Sequence, residues 1–178
     1  MGFVHVHLIP YVHDVGFTHM TNAGAQFLLA LVSIAAALMT GRVSDRIGRR
    51  RPMSLTFSWR GLAYFGFMML ALWPSPLLLY AAVICMGLSW SSTVSLLATT
   101  CADLYGRRSQ GSVFGVVFGV MNWSAALGAW LPGYLFDVTN SYQSALLANV
   151  LVAWVASGVV LWLSEWWRPQ QQMVGTAD

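Results

Sequence analysis

The chain contains no lysine: all nine of its basic residues are arginine, six acids oppose them, and charged residues make up only 8% of 178. A soluble domain of this length needs several times more charge to cover its surface, so that class is excluded. Cysteine is almost absent as well. Cys85 and Cys101 lie in or beside apolar stretches, with no pairing pattern or metal-ligand spacing, and read as buried thiols. No phosphate-binding glycine loop, nucleophile elbow or pair of acids within an apolar run is present. Catalysis has nothing to stand on, and no enzyme activity and no cofactor are expected. No soluble face interleaves arginine with polar residues either, which excludes a nucleic-acid partner.

What is abundant is apolar: 57% of the residues are hydrophobic, and nine are tryptophan. Crossing a hydrocarbon core of about 30 Å takes about 20 predominantly apolar residues. Five stretches are read as full spans, at about 23–40, 52–73, 76–97, 112–131 and 144–165. They are bounded by arginines, by Pro74-Ser75-Pro76 and by turn-formers between Pro132 and Tyr142. Apolar residues occur all round each stretch, as expected where one side meets lipid and the other a helical bundle. Residues 2–13 amount to about half a span. They carry histidines and a proline where a signal peptide would carry early basic residues, and so read as the outer end of a helix. The expected organisation is an all-α membrane unit over 1–167, with five full spans and one partial first span, and a tail over 168–178. Met1 is then either an internal start or the edge of a truncated chain.

Alternate crossing puts eight arginines on one side, in 41–51, 103–110 and the tail with Arg168. The connections at 1–22, 74–76 and 132–143 contain none. This partition is the positive-inside pattern, and it makes the arginine side and the C-terminus cytoplasmic. Trp73 and Trp130 then mark the outer lipid interface, and Trp166 and Trp167 the inner one.

The inner connections echo one another. Asp45-Arg46-Ile47-Gly48-Arg49-Arg50 and Asp103-Leu104-Tyr105-Gly106-Arg107-Arg108 share the pattern D-x-x-G-R-R. Glycine permits a tight turn, an acid is favoured near a helix N-terminus, and arginine bridges to a carboxylate or a lipid phosphate. The bland alternative is that short cytoplasmic loops collect arginine anyway. The first copy extends to G-x-x-x-D-R-x-G-R-R, filled by Gly41, Asp45, Arg46, Gly48, Arg49 and Arg50. This resembles the loop signature of the major facilitator superfamily, which joins the second and third helices of each six-helix half. Three further spans follow it, so the resemblance implies the C-terminal half of that fold, from late helix 7 to helix 12. The run His7-Leu8-Ile9-Pro10-Tyr11 with Asp14 and Gly16 resembles the carrier branch of monocarboxylate and oxalate/formate transporters.

Gly111, Gly115 and Gly119 recur every four residues, as do Gly87, Ser91, Ser95 and Thr99. Each set lies along one helix face and permits close approach, either for sliding or for static packing. Arg60 lies about eight residues into its span, roughly 12 Å along the axis. An ionisable group at that depth is a candidate anion ligand, while the family resemblance makes it a structural partner; both readings stand. The resemblance also implies cavity positions on helices 7, 8, 10 and 11, giving His7, Tyr11, Trp90, Ser91, Asn122 and Trp123 as substrate-binding candidates. Lipid contact, packing between helices or an interfacial position is the alternative for each. His5, His7, His13 and His19 lack companion ligands at metal spacing, so no metal is expected; a role for one of them in proton coupling is the better reading.

Taken with the resemblance, these features imply secondary transport of a small organic solute, a monocarboxylate among the options, by alternating access. Asp45, Arg46, Arg49, Arg50, Asp103, Arg107 and Arg108 would form a cytoplasmic gate with Gly41 and Gly48. The expected partners are a small-molecule substrate, membrane lipid, and an N-terminal half or second copy. The competing reading is a non-transporting membrane remnant or scaffold.

Overall fold

The chain alternates long helices with breaks of one to five residues. In the computed structural model the backbone is described for residues 4, 6–139 and 141–174, and side chains for these apart from 107 and 163–174. His5, the Arg107 side chain, the side chains of Trp166, Trp167 and Arg168, and all of residues 175–178 of the expected tail lie outside the described residues. The helices are α1 (Leu8–Asp14), α2 (His19–Ile47), α3 (Arg50–Leu70), a 64-residue run Pro76–Thr139 broken at Gly106, and a last helix Gln143–Val174. The broken run gives α4 (Pro76–Gly106) and α5 (Arg108–Thr139); the last helix is α6. No strand occurs among the described residues.

Local chemistry places the boundaries. Gly16 takes φ 98° after α1, and the Thr18 hydroxyl then caps α2 by accepting from the Thr21 N–H at 3.3 Å. Pro76 opens α4, where its missing N–H costs nothing. α2, α4, α5 and the Gln143–Trp162 portion of α6 are long and apolar enough to cross a membrane. The expected span at 52–73, now α3, has 21 residues but falls below the apolarity of the others. It carries Arg60 together with Ser54, Thr56 and Ser58. Its position accounts for the difference, because α3 packs against both the α4 run and α6, and polar side chains there meet protein and not lipid.

Helices also run further than the apolar stretches. The expected loops at 41–51 and 103–110 are largely helical and shrink to single breaks at Gly48 and Gly106, while α5 continues past Pro132 to Thr139. Apolarity reports the thickness to be crossed, and the polar ends project beyond it.

Close approaches set the packing. A Cβ on Gly87 of α4 would stand 2.9 Å from the Val32 side chain of α2, and one on Gly66 of α3 would stand 2.9 Å from Ala82 of α4. Between α3 and α6, the Ser54 and Ser157 hydroxyls lie 2.8 Å apart and those of Ser58 and Ser157 lie 2.9 Å apart. The core joins Leu8, Tyr11 and Val12 of α1 to Phe67, Leu70, Leu79, Val83 and Leu146. α5 stands apart from this arrangement: Pro132 is its one buried residue among those described.

Candidate functional site

The two echoed hexapeptides form matching hinges. Gly48 ends α2 at φ 84°, ψ 166°, and Gly106 separates α4 from α5 at φ 74°, ψ 162°. That corner of backbone space is in practice open to glycine alone. In register, Asp45 matches Asp103 one turn before each break, and an arginine pair follows each glycine. Sequence repetition has become structural repetition.

Arg49 ties the hinges together. Its Nε donates to Asp103 Oδ2 at 2.9 Å, and its Nη1 donates to Asp45 Oδ1 at 2.5 Å and to the Ser44 hydroxyl at 2.6 Å. Asp103 first, and then Asp45, push the Arg49 pKa above its usual value by hydrogen-bonding the charged form. Arg50 reaches a different element, donating from Nη2 to the Leu161 carbonyl of α6 at 2.9 Å. Arg46 and Arg108 are exposed, and Gly41 lies within α2 with open space around it. One guanidinium thus spans both acids, joining the α2–α3 corner to the end of α4.

Cavities among the described residues place several of the candidates. One of about 250 Å³ opens between the N-terminal segment, α2 and α4, lined by Val4, Ile9, Gln26, Ser33, Trp90 and Ser91 among others. Trp90 and Ser91 therefore share a wall near the middle of α4. Gln26 and Ser33 are additional polar groups that sequence reasoning passed over. Their signal was the presence of hydrogen-bonding side chains within an apolar run.

The second cavity measures about 340 Å³ and lies between α3, α5 and α6, with Arg60, Ser124 and Asn149 on its wall. Arg60 Nη2 donates to the Thr93 hydroxyl at 2.8 Å and to the Ser89 carbonyl at 3.2 Å, and the guanidinium carbon lies 5.4 Å from the Phe57 ring centre. Its Nε–H is sealed from solvent and has no hydrogen-bond partner. Asn149 was likewise missed as a polar residue in an apolar run; its amide donates to Ala145 O at 2.8 Å.

The remaining candidates are dispersed. The His7 ring nitrogen Nε2 lies 2.8 Å from the Ala129 carbonyl, holding α5 to the N-terminal segment. Tyr11 is buried, and its hydroxyl donates to the Phe67 carbonyl of α3. Asn122 donates to Phe118 O within its own helix, and Trp123 is 77% exposed, so neither meets Trp90 and Ser91.

Comparison with known proteins gives a concordant result. The family model described as Major Facilitator Superfamily matches residues 3–177. An uncharacterized MFS-type transporter, YcxA of Bacillus subtilis (strain 168), is 28% identical over 164 residues, covering 90% of this chain and 39% of the relative. Monocarboxylate transporter 12 of Mus musculus is 28% identical over 146 residues, covering 80% and 29% respectively. Monocarboxylate transporter 10 of Mus musculus is 26% identical over 175 residues, covering 93% and 33%. The chain thus spans less than two fifths of the length of each of these relatives.

Proposed function

The chain belongs to the major facilitator superfamily, and on that footing we propose that it forms the C-terminal half, late helix 7 to helix 12, of a secondary transporter for a small organic solute. It is a multi-pass integral membrane protein. The arginine-rich end and the C-terminus face the cytoplasm in this reading, supported by the distribution of arginine between connections. The solute is a monocarboxylate, the class that the names of two similar proteins carry.

The observation that carries the mechanism is the bridge from Arg49 to both Asp45 and Asp103. Alternating access requires an element with two arrangements, each favoured by different contacts. With the bridge made, the α2–α3 corner and the end of α4 are held together and the cytoplasmic side is shut. Parting the hinges breaks the Arg49–Asp103 pair while Arg49–Asp45, within one corner, is kept, and water compensates the exposed charges at little cost. The cavity beside Trp90 and Ser91 supplies the solute-facing wall of this half, with Gln26 and Ser33 as hydrogen-bonding groups. A cavity shared between two halves needs a second half, supplied by an N-terminal six-helix unit or a second copy. A non-transporting scaffold would need neither the cavity nor the hinge bridge.

Uptake of a labelled short-chain monocarboxylate into proteoliposomes tests this. We expect no uptake by the chain alone and gradient-dependent uptake when it is co-reconstituted with an N-terminal half from a similar transporter. Absence of uptake by a pair shown to associate, across both pH and sodium gradients, would reject the carrier reading.

A further inference from the structure

The cavity between α3, α5 and α6 holds a cation that the described protein does not neutralise. Arg60 is the eleventh residue of the 21 in α3, roughly 15 Å from either end of the helix axis. Its bonding partners are a hydroxyl and a carbonyl, with the Phe57 ring nearby, and all three are neutral. The acids with described side chains are Asp14, Asp45, Asp103 and Asp137, all at or near helix ends, and the two ion pairs among the described residues both belong to Arg49. The Glu165 side chain lies outside the described residues; its backbone position is about 24 Å of helix beyond Asn149. A guanidinium at membrane depth without a counter-ion among the described residues is costly, and one that lines an open cavity is prepared for an anion.

From this we infer that Arg60 and the 340 Å³ cavity form a binding site for a small organic carboxylate. The head group is held by the Arg60 guanidinium, which lines the cavity. Asn149, whose NH2 group has a second hydrogen beyond the one given to Ala145, borders the same space. The rest of the wall is largely apolar, with Met121, Leu131, Leu135 and Val152 placed for a short hydrocarbon tail. The volume lies at the lower end of the range for small-molecule pockets. A lipid phosphate does not fit the position, because head groups lie at the membrane surface and Arg60 is central in its helix. A dianion would bring one uncompensated charge into the membrane. A monocarboxylate balances the single guanidinium.

The site rests on the carrier reading only for its physiological role, as the place where cargo of that class pauses; binding itself is testable on this chain alone. The probe is propionate, with propionamide as a neutral match in shape and chloride as a simple anion at equal ionic strength. The measurement is thermal unfolding of the purified full chain in detergent. A ligand that binds only the folded state raises Tm in proportion to its occupancy. Propionate should raise Tm by several degrees and saturate, while propionamide and chloride do not. Arg60→Gln should abolish the shift, and Arg60→Lys should retain a weaker one, since lysine keeps the charge without the planar fork. Arg60→Gln also risks misfolding. The second variant, Ala148→Trp, fills the cavity from an exposed position on α6 and leaves Arg60 in place. It should lose the propionate shift with helix content unchanged. The inference is overturned by an equal response to propionamide or chloride, by a propionate shift that survives Arg60→Gln or Ala148→Trp, or by no shift in the unaltered chain. A saturable shift without transport by an associated pair rejects the carrier and leaves the site, whereas transport by that pair without any shift does the reverse.

Discussion

Gly48 and Gly106 hold backbone angles that a residue with a Cβ adopts only under strain, although no atom stands within 4 Å of where that Cβ would be. Substitution there is therefore a test of backbone geometry rather than of space. Gly48→Ala and Gly106→Ala should each lower stability by about 1–3 kcal/mol. Gly41→Ala, in a helical position with open surroundings, should be neutral or stabilising by up to about 1 kcal/mol. Unfolding in mixed detergent micelles measures all three, and equal effects would show that the hinge angles do not matter. The neighbouring Arg49 gives a second residue-level expectation. Its side chain is 24% exposed and that of Asp103 is 47% exposed, so a double-mutant cycle with Arg49→Gln and Asp103→Asn should give a coupling of about 0.2–1 kcal/mol that shrinks in salt. The raised Arg49 pKa has a definite sign: its contribution is complete below the ordinary, unfolded arginine value and is lost only as pH climbs through the still higher folded one. The coupling should then be flat between about pH 7 and pH 10; a fall across that interval would mean another group carries it.

Between elements, the small-residue ridges divide into one that is used within the chain and one that is not. Gly87 of α4 meets both Val32 and the Leu29 carbonyl of α2, whereas Gly111, Gly115 and Gly119 of α5 have nothing within 4 Å of a built Cβ. Gly87→Val should force α2 and α4 apart and destabilise by about 1–3 kcal/mol, as overpacking does; Gly115→Val in the isolated chain should change stability far less. Comparable losses at both positions, read by the same unfolding assay, would contradict this division. The hydroxyls of Ser54, Ser58 and Ser157 show why sequence reading stopped where it did. Their spacing in α3 and α6 is unremarkable in sequence, and only the crossing of the two helices brings them together. In the same way the apolar stretches were legible as helices because length against membrane thickness is a strong constraint. Which face of each helix meets lipid was not legible, because apolar residues surround it. Trp90 and Trp123 look alike in sequence, yet one borders a cavity and the other is 77% exposed.

At the scale of the whole molecule, the uneven burial of α5 is the feature that bears on how the chain works. α3 is held from two sides, by α4 and by α6, while the contacts of α5 include His7 at the Ala129 carbonyl, Gln110 donating to the Ala98 carbonyl of α4 at 3.2 Å, and the stacking of Phe136 on Tyr142, 4.4 Å between ring centres. A membrane helix with a ridge of three glycines and no neighbour upon it exposes a surface suited to close contact with another helix. In the proposed carrier that contact comes from the other half. The D-x-x-G-R-R repeat was legible in the sequence and correctly located both hinges, but the empty ridge on α5 became visible only when the two glycine sets were seen to differ in their surroundings. A single cysteine tests the assignment. In a background with Cys85→Ala and Cys101→Ala, Gly115→Cys should react readily with a membrane-permeant thiol reagent when the chain is alone. Pairing with an N-terminal half should slow that reaction several-fold, whereas Met20→Cys, at an 84% exposed position near the start of α2, should react alike in both cases. Slowing at Gly115→Cys alone places the second half on the glycine face of α5. Equal labelling of both positions, with and without an associated partner, removes α5 from the interface.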